Sequence, residues 1–333
     1  MKNIQVTKTD AKKTLRFLQH FGQKNILVIG DVGVDRYRYG VAERLSPEAP
    51  VPIVRVLRMM EKLGLAANVA DNLKALGAGA YLIGVVGKDT MADRLKSMLR
   101  HQCIHDLLLV DTKRLTACKE RIVVDTQQLL RVDEESTMPL SKKLLRELHV
   151  RLDACQVDAV ILQDYAKGML SVGTQALIER IRERGLFVAI DPHPTGSLSD
   201  YQNAHLLTPN TKEAEALVGQ SITDETSLVR VGELIMKKTH AEHLVITRGK
   251  DGMALFSKKS KVVKLMPTFA REVYDVSGAG DTVISVLTLA LVSGASLEEA
   301  AFLANTAAGL EVAKHGTAIV SQGELRSALT IAS

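Results

Sequence analysis

Tryptophan is absent from this chain, and six tyrosines and six phenylalanines are its only aromatic residues. So thin an aromatic supply argues against the stacking platforms that bind single-stranded nucleic acid. Only three cysteines occur, Cys103, Cys118 and Cys155, widely spaced and with no C-x-x-C pair. That pattern excludes a disulfide framework and fits a reducing compartment. No apolar run approaches the roughly 20 residues of a membrane span. The first stretch, "MKNIQVTKTDAKKTLRFLQHFGQ", has no apolar signal core and reads as an amphipathic helix with Ala11, Leu15 and Leu18 on one side. A cytoplasmic, soluble protein without nucleic-acid or membrane partners is expected.

What is present fits one large α/β unit. The 333 residues are 46% hydrophobic and 24% charged, with a net charge of +5 spread in short clusters, which favours small anionic ligands over a nucleic-acid stripe. Strand-length apolar runs ("NILVIGDV", "AYLIGVVG", "DAVILQDY", "LFVAIDP", "AHLLTPN", "EHLVITRG") alternate with helical patterns such as "GLAANVADNLKALGA", "SVGTQALIERIRERG" and "TKEAEALVG". This rhythm predicts a mostly parallel sheet covered by helices on both faces. Two stretches interrupt it. Residues 35–60 carry three prolines, and residues 114–133 alternate about every second position. Both read as β insertions that join into a small lid within a single domain spanning 1–333, with ordinary edge strands as the alternative.

Ligands of parallel sheets sit beyond the carboxyl ends of the strands. Here those ends carry Asp31 and Asp35, then Asp164, Tyr165 and Lys167, then Asp191, Asn210 and finally Thr247, Arg248 and Gly249. The strongest single signal is "SGAGDTVISVLTLALV". Gly278-Ala279-Gly280 precede a long apolar helix and Asp281 follows at once. Unpaired N–H groups and the positive dipole end suit an anion, and small residues let it approach. A carboxylate beside such a cradle is a poor phosphate ligand but a reasonable base for an alcohol, so the stretch reads as phosphoryl transfer to a hydroxyl. An Asp in the first turn of an ordinary core helix is the alternative. No Walker motif occurs. Gly249 and Gly252 in "TRGKDG" suit either a hairpin turn or close approach of a nucleotide. Asn210 and Glu213 in "TPNTKEAE" could orient Mg²⁺ through water or form a helix cap.

Together "GDVGVD", "GLAANVADNLKALGA", "TPNTKEAE", "TRGKDG" and "DVSGAGDT" resemble the ribokinase-like (phosphofructokinase-B type) carbohydrate kinases over nearly the whole chain. "RLSPEAPVPIV", "DYAKG" and "EVYDVSGAGDTVISVL" are similar to the D-glycero-β-D-manno-heptose-7-phosphate kinase branch. The resemblance implies a three-layer α/β/α sandwich with a β lid, and ATP with Mg²⁺ as cofactors. It implies transfer to the anomeric hydroxyl of heptose 7-phosphate on the way to ADP-heptose and lipopolysaccharide core. Asp281 would be the base and Gly278, Ala279 and Gly280 the anion hole. Asp35, Gly64 and Asn68 would meet the sugar, and Asp164 and Lys167 would lie near its phosphate and the triphosphate. Asn210, Glu213, Thr247, Gly249, Gly252 and Asn305 would form the nucleotide side, with Glu213 toward Mg²⁺. Arg44, Lys119, Arg121 and Lys167 are assigned to the sugar phosphate on charge alone. The chain departs from the family pattern at Val276, at Leu65, where a second glycine is usual, and at His193 in place of lysine. It holds no H-x-G-H segment of a nucleotidyltransferase, so a stand-alone kinase or one half of a bifunctional protein is expected. The lid's apolar side predicts a homodimer. A kinase for fructose, ribose or a nucleoside, and a binding protein with weak turnover, are the alternatives.

Overall fold

A computed structural model describes residues 2–3, 8–125, 127–269, 277–314 and 318–331. Asp275 and Val276 of the glycine-rich motif lie outside the described residues. Ten strands form the main sheet, in the spatial order Lys2–Asn3, Ser260–Met266, Met253–Ser257, His243–Thr247, Leu206–Leu207, Phe187–Asp191, Ala159–Gln163, Asn25–Gly30, Gly79–Ile83 and His105–Asp106. Every neighbouring pair is parallel except the two that Met253–Ser257 makes with its flanking strands.

The apolar strand runs are explained by burial on both faces. Ile26 and Val28 face one core, while Leu27 and Ile29 face the other; Ile161 and Leu162 divide in the same way. Helices Lys8–Phe21, Ala66–Ala75, Thr90–His101, Ala279–Val292, Leu297–Val312 and Gln322–Ile331 contribute to the first core. Helices Lys142–Ala154, Thr174–Glu183 and Glu225–Thr239 contribute to the second. The helix Ala279–Val292 is apolar nearly all round because it is enclosed, with Ile284, Val286, Leu287 and Leu289 fully buried. Each such side chain stabilises the fold by about 1.5–3 kcal/mol on transfer terms.

The two insertions pair into one four-stranded sheet, in the order Gln127–Glu134, Ala117–Val124, Val32–Leu45 and Pro52–Leu65. They are therefore not separate edge strands of the main sheet. Their strands also begin or end several residues outside the 35–60 window, because Val32 and Leu65 already pair at the base of the ribbon.

Most helices begin on a polar cap. Asp89, Ser141, Asn210, Asp224 and Ser296 each accept a backbone N–H three residues on. The helices that start at Leu65, Gly173 and Gly278 have no side-chain cap. Two of these three, Leu65 and Gly278, adjoin the site described next.

Candidate active site

The N-cap Gly278 adopts φ 98°, a left-handed conformation that a side chain would strain. It lets the chain turn sharply into the helix and leaves first-turn N–H groups without a cap. Gly280 faces open space: a Cβ there would meet nothing closer than the Asp191 carboxylate at 4.0 Å.

Asp281 is buried in this first turn. Asn68 donates its amide to Oδ2 at 2.7 Å, and the Tyr165 hydroxyl donates to Oδ1 at 2.8 Å. Gln163 Nε2 reaches Oδ1 at 3.5 Å while donating to Asp191 Oδ2 at 2.6 Å. Burial drives the Asp281 pKa up to about 6; the bonds from Asn68 and Tyr165 and the charge of Lys119 oppose that rise, while Asp35 adds to it. The group is thus poised to accept a proton near neutral pH. Asp191 is pushed well above the usual carboxylate range by burial and by the charge of Glu213.

The segment that carries Tyr165 is built around Asp31, a buried carboxylate at the end of the central strand Asn25–Gly30. It accepts the backbone N–H groups of Tyr165, Lys167 and Met169 at 3.2, 2.9 and 3.0 Å. One Asp164 oxygen accepts Ala166 N–H and the other accepts the Tyr201 hydroxyl, both at 2.8 Å, so its carboxylate helps to order the loop. Lys167 donates to Glu135 at 2.5 Å.

Opposite this loop stands the small sheet. Asp35 is buried and accepts from Arg121 at 2.7 Å. Gly64 packs closely beside it: a Cβ would come within 2.9 Å of the Asp35 carboxylate. Lys119 lies over the Tyr165 ring, its ammonium 5.5 Å from the centroid. Arg44 does not join this group. It is exposed near the far end of Val32–Leu45, nine residues beyond Asp35, and a strand of that length spans roughly 30 Å.

A cavity of about 480 Å³ opens on the other side of the glycine turn. Ala279 and Gly280 line it together with Thr247, Gly249, Gly252 and Asn305. Asn305 also donates to Pro267 O at 2.6 Å. Asn210 and Glu213 are not among its lining residues. They form a reciprocal helix cap, Asn210 N–H to Glu213 at 2.7 Å and Glu213 N–H to Asn210 at 3.0 Å, which is the alternative that the sequence left open. Asn210 is nonetheless paired beside Thr247. A second cavity, of about 570 Å³, touches the site at Asn68 and is lined also by Lys62, Asp71 and Arg94. Of the two, only the smaller cavity has the start of the glycine-led helix in its wall.

Sequence reasoning passed over Gln163, and it treated Tyr165 only as a strand-end residue. The available signal was a glutamine closing the apolar run "AVIL", where a side chain without a polar partner would be costly.

A buried carboxylate at an uncapped helix start, set between a polar cleft and a cavity walled by glycines, is an arrangement that suits phosphoryl transfer in an α/β fold. The family model for pfkB family carbohydrate kinases matches residues 23–322, and the chain belongs to that family. It is similar to the "Bifunctional protein HldE" of Pelobacter propionicus, 42% identical over 327 residues that cover 97% of this chain and 67% of the relative. The protein of the same name from Coxiella burnetii is 45% identical over 311 residues, covering 93% and 64%. The chain thus spans about two thirds of the length of these relatives. Among solved structures, phosphofructokinase-2 from Escherichia coli in complex with substrates and products superposes with a TM-score of 0.77 at 19% identity, covering 92% of this chain and 99% of that one. Arabidopsis thaliana ribokinase complexed with ribose and ATP gives 0.74 at 20%, covering 92% and 98%. The fold is therefore ribokinase-like.

Proposed function

We propose that this chain transfers the γ-phosphoryl group of ATP to the anomeric hydroxyl of D-glycero-D-manno-heptose 7-phosphate, giving the 1,7-bisphosphate used for ADP-heptose and lipopolysaccharide core. The observation that carries the reaction type is Asp281, raised toward neutrality and held by Tyr165 and Asn68 beside the glycine-walled cavity. In this reading Asp281 Oδ takes the proton of the sugar hydroxyl as the oxygen attacks phosphorus. The N–H groups of the Gly278–Gly280 turn receive the charge that develops on the transferred phosphoryl. Thr247, Gly249, Gly252 and Asn305 hold the nucleotide, and Asp35 and Asn68 orient sugar hydroxyls. The heptose assignment is supported by the branch-like stretches at 44–54, 164–168 and 272–287 and by the likeness to proteins named HldE.

A divalent cation fits near Asp191 and Glu213, whose mutual repulsion in a buried setting a cation would relieve. The described residues offer no cluster of three acidic, histidine or cysteine ligands, and Mg²⁺ held by one or two carboxylates through its own waters needs none. Asp191 and Glu213 would hold such a cation near the nucleotide, where its positive charge would offset that of the phosphates.

We further infer that the small sheet acts as a lid and pairs with that of a second copy. Leu57, Met59, Leu130 and Val132 on it are 61%, 55%, 52% and 44% exposed, an apolar surface that a monomer would leave wet. Use of ATP supports a cytoplasmic setting for the reaction. No helix among the described residues is long and apolar enough to cross a membrane.

An assay of ADP formation over a sugar panel tests the reading. Transfer to heptose 7-phosphate supports it. Transfer confined to fructose, ribose or a nucleoside overturns the substrate, and tight binding without turnover overturns the activity.

A further inference from the structure

The loop that presents Tyr165 does not hold its own shape. Ala166 and Gly168, on either side of Lys167, adopt φ 55° and 102°. Left-handed conformations of this kind persist where the surroundings impose them. Asp31 supplies part of the constraint from the main sheet, through the N–H groups of Tyr165, Lys167 and Met169. A second part comes from the other direction. The Arg114 guanidinium donates to the carbonyl oxygen of Lys167 at 2.8 Å, so the peptide groups on both sides of the Lys167 Cα are gripped, one by Asp31 and one by Arg114.

Arg114 is 6% exposed, and its other terminal nitrogen donates to the carbonyl of Met138. It stands just before the lid strand Ala117–Val124, and Met138 stands just after the lid strand Gln127–Glu134. One planar fork thus closes the base of the lid hairpin and fastens it to the Tyr165 loop. A lysine ammonium, a point donor on a flexible stem, lacks that two-pronged geometry. The joint is tight: a Cβ on Gly168 would collide with Met138 O. The Lys167 ammonium, bound to Glu135 at 2.5 Å, ties the same loop to the same end of the hairpin. Removing a guanidinium from water costs free energy even when its bonds are made. The charges of Asp31 and Asp111 support it here.

We propose that Arg114 is a positioning residue for the transfer step: it ties the lid hairpin to the Tyr165 loop, and through the Tyr165 hydroxyl it fixes the aim of Asp281. The inference rests on the reading of Asp281 as the base and adds the route by which the placement of the lid reaches it. The path runs from Arg114 to the Lys167 carbonyl, back along the chain to Tyr165, and from its hydroxyl to Asp281 Oδ1 at 2.8 Å. Without the fork, the backbone at Ala166 and Gly168 can relax, and the hydroxyl leaves the carboxylate while Asn68 keeps the other oxygen.

Hydrogen exchange gives a test that needs no turnover. In Arg114→Lys the backbone amides of 164–170 should exchange at least about tenfold faster, with Ala159–Gln163 as protected as before. Unchanged exchange in the loop overturns the proposal whether or not any sugar is phosphorylated. Kinetics gives a second test. Arg114→Lys and Arg114→Gln should each lower kcat/KM for the sugar about three- to fivefold at pH 6 and by less than about twofold at pH 8.5, with KM for ATP unchanged. The acidic limb moves toward that of Tyr165→Phe because Asn68, Lys119 and Asp35, which also act on Asp281, stay in place. Added to Tyr165→Phe, either change should cost less than about twofold more, since the bond it acts through is already gone. Full additivity, or an equal loss at every pH, marks Arg114 as scaffold and overturns the proposal. Failure of both variants to give a cooperative melting curve does the same. Faster loop exchange in a chain that phosphorylates none of the sugars would instead overturn the Asp281 reading, and with it the catalytic half of the proposal.

Discussion

Tyr165 and Asn68 grip Asp281 from two sides, one through each carboxylate oxygen, at 2.8 and 2.7 Å. Neither donor can be replaced by water without admitting solvent to a buried group. The carboxylate is thus held in one orientation, and its proton affinity is set by a balance between burial and these two bonds.

Removing the carboxylate tests its chemical role. Asp281→Asn should lower kcat by at least about 10³-fold while leaving ATP affinity within about twofold, because only an interaction of the transition state is lost. Steady-state kinetics and calorimetry with a non-hydrolysable nucleotide check both halves.

The same substitution should make the protein more stable. The folded pKa of Asp281 is about 6 against an ordinary 3.8, so the unfolded chain ionises it first and stability falls as pH rises through that window. Above pH 6 the full penalty is present, with an upper bound of about 3 kcal/mol at 1.36 kcal/mol per unit. Asp281→Asn removes it, and urea denaturation at pH 7.5 should show a gain of about 1–3 kcal/mol that vanishes near pH 4. Equal stability at both pH values would refute the buried-base description.

Tyr165→Phe keeps the ring and loses the hydroxyl. Its bond favours the ionised form of Asp281, so the pKa must rise when it is gone. The acidic limb of the kcat/KM profile should move to higher pH by roughly one unit, with a smaller effect on kcat at pH 8.5. A purely structural role for Tyr165 would lower the rate at every pH alike.

Leu65 provides a test of backbone strain. It caps the helix Ala66–Ala75 at φ 57° and ψ −138°, a region almost reserved for glycine, while its side chain is buried. Glycine in a core normally destabilises by about 0.5–1 kcal/mol relative to alanine. Here the order should reverse: Leu65→Gly should melt above Leu65→Ala, since both lose the same packing but only glycine relieves the strain.

His205 gives a pH prediction remote from the site. Its Nδ1 accepts Val188 N–H at 3.0 Å, and burial and Arg182 hold its pKa below the ordinary 6.5. The unfolded state therefore binds the proton first, and this contribution to stability is lost as pH falls below 6.5. His205→Gln should flatten the pH dependence of the urea midpoint between pH 7 and 5. An unchanged slope would count against it.

Much of the fold was legible because the physics is local or strictly periodic. "ILVI" and "AVIL" are apolar at every position, and the structure buries both faces of each. The glycine turn before Asp281 was legible for the same reason, as a conformational requirement written into three small residues. Thr247, Gly249 and Gly252 fall around one cavity because they close one strand and its hairpin; Asn305 joins them from a distant helix. The relations that escaped are those of register and of satisfied bonds. Arg131 reads as one more exposed residue of an alternating strand until pairing sets it against Arg121. Asp164 reads as a strand-end carboxylate, and its bonds from Ala166 N–H and the Tyr201 hydroxyl are invisible in the sequence. Charge alone put Arg44 in the site, whereas its exposed place near the end of Val32–Leu45 is a matter of strand length.

Asp31 terminates a central strand and at the same time fastens the Tyr165 loop, so the aim of Asp281 inherits the alignment of the main sheet. Small slips in that sheet, too slight to melt the protein, would reach the transfer step first. On gentle heating, activity should fade before secondary structure does, and substitutions along Asn25–Gly30 that leave yield untouched should still register as slower enzymes.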